Sequence, residues 1–281
     1  RQAREAVRGE APGLPARAAL GRVEPNHPPA GQEVLCEEGN RAIARAAAQV
    51  LNQFPAVVAA YPITPQTAIV EYMAQMIADG DLSAESVTPE SEHRAAGALM
   101  GAARDRVLAF TASSSQGLAL MAEILHTIGG MRMGNVVISN VVRSLNAPLD
   151  VENDHSDLYK VALDAGYIVF MTRDVQQAYD FHLMAWLIGL YAEYRPARLL
   201  GTDGRVRRGA IEMIPDRAVM TPVIVGSEGF EVSHAPERYL ALSDEQARAL
   251  YADPDFDYVR RYVFTPNESI MGALQLSNAR M

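Results

Sequence analysis

The sequence predicts an α/β domain: a parallel β-sheet flanked by helices on both faces. Short, continuously apolar runs read as strands buried on both sides, residues 136–142 being the clearest. They alternate along the chain with helical stretches, the pattern of a parallel sheet joined by crossover helices. With 281 residues and 49% apolar side chains, the chain can bury one large domain or two small ones.

Residues 1–30 are rich in Ala, Arg, Gly and Pro and end in Pro25-Asn26-His27-Pro28-Pro29, which blocks helix and sheet alike. They predict an extended arm, either disordered or laid over a partner subunit. The globular domain is expected over residues 31–234. Residues 39–51 have helical period and propensity, and 57–61 form a short apolar strand halted by Pro62-Ile63-Thr64-Pro65. Helical spacing resumes over 66–78, with Ile69, Val70, Met73, Met76 and Ile77 on one face, and Asp79-Gly80-Asp81 is a turn. A brief strand at 86–87 leads into a helix over 88–103. Pro89 opens that helix, Glu90 and Glu92 suit its positive N-terminus, and Ala95, Ala96, Gly97, Ala98, Gly101 and Ala102 permit close packing. Its carboxylates either cap a buried helix or supply an acid/base group.

Further strands are expected at 107–111, 136–142, 168–171 and 222–225, with helices at 118–128 and 175–191. Residues 195–221, carrying Gly201-Thr202-Asp203-Gly204 and Arg205-Val206-Arg207-Arg208, read as an insertion or surface ribbon. Residues 235–281 contain one helix candidate, 244–251, and predict an arm on another domain or subunit, or the start of a following domain.

A net charge of −9, with 21% charged residues and no basic run, gives no sign of nucleic-acid binding. The single Cys36 excludes an intrachain disulfide and a self-contained iron–sulfur or Cys-rich zinc site. Lys160 is the single lysine, which reads as genomic base composition. No apolar run has membrane-spanning length and no signal peptide shows, so a cytoplasmic location is expected. The chain begins at Arg1, which suggests that its true start lies upstream.

In open parallel sheets, ligands bind beyond the carboxyl ends of the strands. There the sequence collects Thr64, the run Thr111-Ala112-Ser113-Ser114-Ser115-Gln116-Gly117, and Arg143. Arg143 could hold a carboxylate bidentately, or form a structural ion pair; Thr64 could donate a hydroxyl, or serve the turn between two prolines. Ser113 to Gly117 lacks the Gly-x-Ser-x-Gly elbow of a hydrolase. Asp154-His155-Ser156-Asp157 reads as a loop engaged in structural hydrogen bonding; His126 and His182 read as core or interface residues of apolar helices. No Gly-rich phosphate loop of standard spacing occurs, and no metal site is expected.

Several motifs stand together in order: Ala60-Tyr61-Pro62-Ile63-Thr64-Pro65; Glu90-Ser91-Glu92-His93 with Ala96-Gly97-Ala98; Phe110 to Leu118 with Leu120-Met121; Arg143; and Asp154-His155-Ser156-Asp157. This set resembles the thiamine-diphosphate-dependent 2-oxoacid:ferredoxin oxidoreductases, of the pyruvate:ferredoxin type. The likeness is to the pyrimidine-binding domain of the α subunit and spans residues 37–191. Glu228-Gly229-Phe230-Glu231-Val232-Ser233-His234 resembles the Asp-Gly-Phe…Ser-His end of that domain, with Glu for Asp; Thr202-Asp203-Gly204 is a rival for the same position.

The resemblance implies oxidative decarboxylation of a 2-oxoacid to acyl-coenzyme A and carbon dioxide. Glu92 would share a proton with N1′ of the aminopyrimidine, Tyr61, Pro62, Ser115 and Gln116 would contribute to the cofactor site, and Thr64 and Arg143 would hold the substrate carboxylate. The chain lacks the Gly-Asp-Gly…Asn motif for diphosphate and Mg²⁺, which the family carries on a β subunit. The resemblance therefore implies a site shared with a β subunit that also carries an iron–sulfur cluster, beside γ and ferredoxin-like δ subunits. Coenzyme A would be the co-substrate, and ferredoxin or NAD the final acceptor.

The family's following swivel-like domain has no counterpart before Met281, so the chain reads as a fragment or as part of a divergent complex. The substrate is expected to be pyruvate-like or an aryl glyoxylate such as phenylglyoxylate. Two other readings stand beside this one. One is a non-catalytic scaffold paralogue. The other is a lipoamide-linked thiamine dehydrogenase, which shares the fold but not the Tyr-Pro-Ile-Thr-Pro and Ser-Gln-Gly-Leu text.

Overall fold

Alternating apolar strands and amphipathic helices build a six-stranded, all-parallel sheet in the computed structural model, which describes residues 28–145, 154–200, 206–218 and 220–252. The chain enters through β1 (Gln32–Glu37) and α1 (Gly39–Leu51), then β2 (Ala56–Ala59), α2 (Thr67–Asp79) and β3 (Glu85–Val87). Gly80 ends α2 in the left-handed conformation (φ 83°), which glycine adopts without a Cβ clash. Next come α3 (Glu92–Arg104), β4 (Leu108–Ser113), α4 (Ser115–Gly130) and β5 (Val136–Val142). After them follow α5 (Ser156–Ala162), β6 (Ile168–Thr172) and α6 (Val175–Gly189). An antiparallel pair, β7 (Ala192–Leu200) and β8 (Val206–Ala218), precedes β9 (Val223–Glu228), β10 (Glu237–Leu242) and α7 (Asp244–Ala252).

The parallel strands lie in the order β3-β2-β4-β5-β9-β6. Every apolar residue of β4 and β5 is buried, as continuous apolar runs require of strands covered on both faces. One core cluster gathers side chains of α1, α2, α6 and α7; the other gathers those of α3, α4 and α5. The chain steps outward from β2 to β3 and then back across β2 to β4. Right-handed crossovers in opposite directions put α2 and α4 on opposite faces, so β2 and β4 flank a switch point, beyond whose carboxyl ends such sheets bind ligands.

Four expectations are corrected. The helix over 88–103 begins at Glu92 and not at Pro89: Ser91 is its N-cap, its hydroxyl accepting from the Arg94 amide at 3.3 Å. Ser91→Ala is expected to lower stability by about 1 kcal/mol, read from a chemical denaturation midpoint. Residues 154–157 do not form a loop throughout, because Ser156 opens α5, a helix too short to leave a period in the sequence. His126 is not a core residue; it is half-exposed and bonds Asp164 at 3.0 Å and the Ala122 carbonyl at 2.6 Å.

The fourth correction concerns both ends of the domain. Residues 237–252 pack on this domain itself. β10 pairs antiparallel with β1, which was not expected either, and Tyr239, Ala241, Ala247 and Tyr251 enter the core under α1 and α6. Glu37 fixes this ribbon to α1, accepting from Arg45 at 2.7 and 3.2 Å and from the Tyr239 hydroxyl at 2.7 Å. The expected ribbon at 195–221 is the β7–β8 pair, although Thr202-Asp203-Gly204 lies outside the described residues, as do residues 1–27 and 253–281.

His182 is the expected core histidine. It is fully buried in α6, Nδ1 donating to the Ala178 carbonyl at 2.7 Å, and desolvation lowers its pKa to about 4. Its folded pKa lies below the ordinary value of 6.5, so between those two pH values the unfolded chain binds more protons. The contribution to stability is complete above about pH 6.5 and falls by about 3 kcal/mol as the pH drops through 4. His182→Leu should remove that share of the acid sensitivity, visible as a flatter dependence of unfolding free energy on pH.

Candidate active site at the switch point

Strand ends determine what reaches the switch point. After β2 the chain runs through Ala60, Tyr61, Pro62, Ile63 and Thr64, with Tyr61, Pro62 and Thr64 exposed. The Thr64–Pro65 peptide is cis. Two buried amides hold this loop: Asn40 Nδ2 donates to the Pro65 carbonyl at 3.0 Å, and Gln66 Nε2 to the Tyr61 carbonyl at 2.7 Å. Thr64 is thereby kept exposed on the loop after β2.

Glu92 is the first residue of α3 and is only 8% exposed. Its neighbours are the end of β4 and the first turn of α4. A Cβ added to Gly117 would lie 2.8 Å from Glu92 Oε1, 2.9 Å from Glu92 Cγ and 2.6 Å from Ser113 Oγ. Glycine at 117 is what lets the glutamate pack against α4. The Ser113 and Ser114 hydroxyls are fully buried and have no partner among the described residues. A buried carboxyl group near an unpartnered hydroxyl, at the carboxyl edge of a switch point, is fitted to a polar heterocycle.

At the β4–α4 corner Ser115 adopts φ +44°, a region that non-glycine residues occupy only when surroundings enforce it. Its hydroxyl is fully buried and lies 2.6 Å from both the Ser144 carbonyl and Gln116 Oε1, so it is no exposed nucleophile. Gln116 bridges to the strand end next door: Nε2 donates to the Leu145 carbonyl at 2.8 Å, and Oε1 accepts from Arg143 Nη2 at 2.9 Å. Among the described residues Arg143 is held by an amide, that of Gln116. Its Nε has no partner among the described residues.

Sequence reasoning treated Asp157 as ordinary loop hydrogen bonding, yet it is the hub of this rim. Oδ2 accepts from the Ser115 amide at 2.8 Å and from Asn140 Nδ2 at 3.1 Å, and Oδ1 from the Leu158 amide at 2.6 Å. Burial pushes its pKa above the usual carboxylate value, against the pull of these donors. Complete burial of Asp157 could not be read from one polar letter in a row of polar letters.

All these groups lie along the carboxyl edge of a parallel sheet, on and beside the adjacent strands β2, β4 and β5. The structure brings Ser113, Gly117 and Glu92 together, and Ser115, Gln116 and Arg143 together. Thr64, Tyr61 and Pro62 stand on the loop after β2.

Comparison with known proteins gives the chain a family and a fold. The family model described as pyruvate flavodoxin/ferredoxin oxidoreductase, thiamine diP-binding, matches residues 49–216. The pyruvate synthase subunit PorA of Methanothermobacter thermautotrophicus is 34% identical over 223 residues, covering 79% of this chain and 56% of that protein. The Thermotoga maritima PorA is 39% identical over 190 residues, 66% of this chain and 47% of the relative. The ketoisovalerate oxidoreductase subunit VorA of Pyrococcus horikoshii is 43% identical over 150 residues, 53% of this chain and 37% of the relative. The chain spans about half the length of the curated relatives it matches. Among solved structures, a 2-oxoglutarate:ferredoxin oxidoreductase from Magnetococcus marinus, with 2-oxoglutarate, coenzyme A and succinyl-CoA bound, shares the fold. Its TM-score is 0.53 at 23% identity, over 76% of this chain and 32% of that one.

Proposed function

Since the chain belongs to the pyruvate flavodoxin/ferredoxin oxidoreductase family through its thiamine diphosphate-binding domain, we propose that it is the α subunit of a 2-oxoacid:acceptor oxidoreductase. The reaction would convert a 2-oxoacid and coenzyme A to an acyl-coenzyme A and carbon dioxide, releasing two electrons to partner subunits. The observation that carries this reading is the buried Glu92 seated over Gly117 at the switch point.

Thiamine diphosphate, when bound, supplies a carbon nucleophile and an electron sink for decarboxylation. Glu92 holds a proton opposite a ring nitrogen, where burial strengthens the hydrogen bond. Tyr61 and Pro62 give the site an apolar wall. Arg143 takes the substrate carboxylate and Thr64 adds a hydroxyl donor from the loop opposite. Ser115 and Gln116 act through Arg143, holding its strand end against α4. The diphosphate and Mg²⁺ belong to a β subunit in this scheme, since no phosphate loop occurs in this chain. Iron–sulfur clusters belong to partner subunits, a β subunit and a ferredoxin-like δ beside γ, because Cys36 is the single cysteine. No helix among the described residues is long and apolar enough to cross a membrane, which suits a cytoplasmic assembly.

Relatives named for pyruvate and for ketoisovalerate make a 2-oxoacid the substrate class, with pyruvate-like and aryl oxoacids such as phenylglyoxylate as the candidates to compare. The test is to purify the native complex, measure its thiamine diphosphate content, and follow oxoacid-dependent viologen reduction across that panel. Cofactor in the complex and turnover of at least one oxoacid are the expected results. A complex devoid of thiamine diphosphate would leave this chain as a scaffold.

A further inference from the structure

One carboxylate in this site binds neither cofactor nor substrate, yet it grips both elements that carry the substrate-facing groups. Asp157 is fully buried and accepts from the Ser115 backbone amide at 2.8 Å. The Ser115 corner and the end of β5 are the two roots of an arch. From the first root, Gln116 reaches over; from the second, the Arg143 guanidinium meets it at 2.9 Å. The arch closes again through Ser115 Oγ on the Ser144 carbonyl and Gln116 Nε2 on the Leu145 carbonyl. Asn140, whose side chain donates to Asp157 at 3.1 Å, ties the same carboxylate to β5.

We propose that Asp157 is a positioning residue for the 2-oxoacid: it sets the reach and direction of Arg143 by fixing the Ser115 corner and, through Asn140, the end of β5 to one carboxylate. The inference rests on the reading of Arg143 as the carboxylate-binding group. The physical reason is geometric. Ser115 sits at φ +44°, a conformation that relaxes unless its amide and hydroxyl stay bonded, and Asp157 holds the amide. An amide in place of the carboxylate would turn an NH₂ group toward donors. The Ser115 corner and the strand end at Arg143 would then slacken together, and the guanidinium would swing with Gln116.

The test uses the whole complex with its cofactor. Asp157→Asn should raise KM for the oxoacid about ten- to hundredfold, with kcat within about threefold and thiamine diphosphate content unchanged. Arg143→Ala should raise KM at least as far, and the double variant should be no worse than Arg143→Ala alone, because both changes act on one contact. Hydrogen exchange should rise in the double segment 115–118 and 143–145 of Asp157→Asn before any other part of the chain. Should Asp157→Asn fail to assemble, Gln116→Leu breaks the arch at its crown and should show the same rise in KM.

The outcomes separate the two ideas. If Arg143→Ala leaves KM unaltered, the carboxylate reading of Arg143 is wrong. If Arg143→Ala raises KM while Asp157→Asn lowers only kcat and cofactor content, or adds its effect in full to that of Arg143→Ala, Asp157 is a structural acid and the positioning role is overturned. An unchanged KM in Gln116→Leu overturns it as well.

Discussion

Glu92→Gln in the assembled complex should lower kcat by about a hundred- to ten-thousandfold, the span of a lost acid/base group. The substitution is nearly isosteric, so α3 keeps its Ser91 cap and the site keeps its shape. On the proposed reading, what it removes is the carboxyl group that would face the cofactor's ring nitrogen. Gln can still offer an N–H donor at that point, so thiamine diphosphate should stay bound, and a loss confined to binding would show as a restored rate at saturating cofactor. The measurement is therefore kcat at saturating thiamine diphosphate, with bound cofactor quantified in the same sample. A variant as active as wild type under those conditions would remove Glu92 from the chemistry.

The second large effect is expected at a residue with no chemistry of its own. Gly117→Ala lies in the first turn of α4, where alanine would ordinarily stabilise a helix by about 0.5–1 kcal/mol over glycine. Here the new methyl group would overlap Glu92 Oε1 and Cγ and Ser113 Oγ, each within 2.9 Å. Ser113 is fully buried at the end of β4, so Glu92 is the group that gives way. A displacement on the order of 1 Å at the reacting centre costs about a hundredfold in rate, which is the loss expected in kcat. Gly130→Ala, at the far end of the same helix, meets nothing within 4 Å and should leave turnover as it is. Equal activity of the two variants would mean that Glu92 does not depend on the missing Cβ.

Much of the frame was legible before any coordinates. Residues 39–51 and 136–142 have the bounds their periodicity indicates, because those elements are long and their patterns unmixed. Ser91 shows a limit of local signals: Pro89 looks like a first-turn proline, but the serine two residues on offers a side-chain acceptor and takes the cap. β10 escaped notice because its burial alternates within a polar stretch, and its partner β1 lies some two hundred positions away in sequence.

The sequence by itself determined the fold class, the family, and the residue types gathered at the strand ends: Thr64, Glu92, Ser115, Gln116 and Arg143. Apolar period and short motifs are local, and local patterns survive in a linear text. Only the tertiary structure decided that Gly117 is the floor beneath Glu92, that Gln116 reaches Arg143, and that Asp157 ties two strand ends together. Those relations join residues 17 to 42 positions apart through a buried sheet edge, where desolvation gives each hydrogen bond its weight.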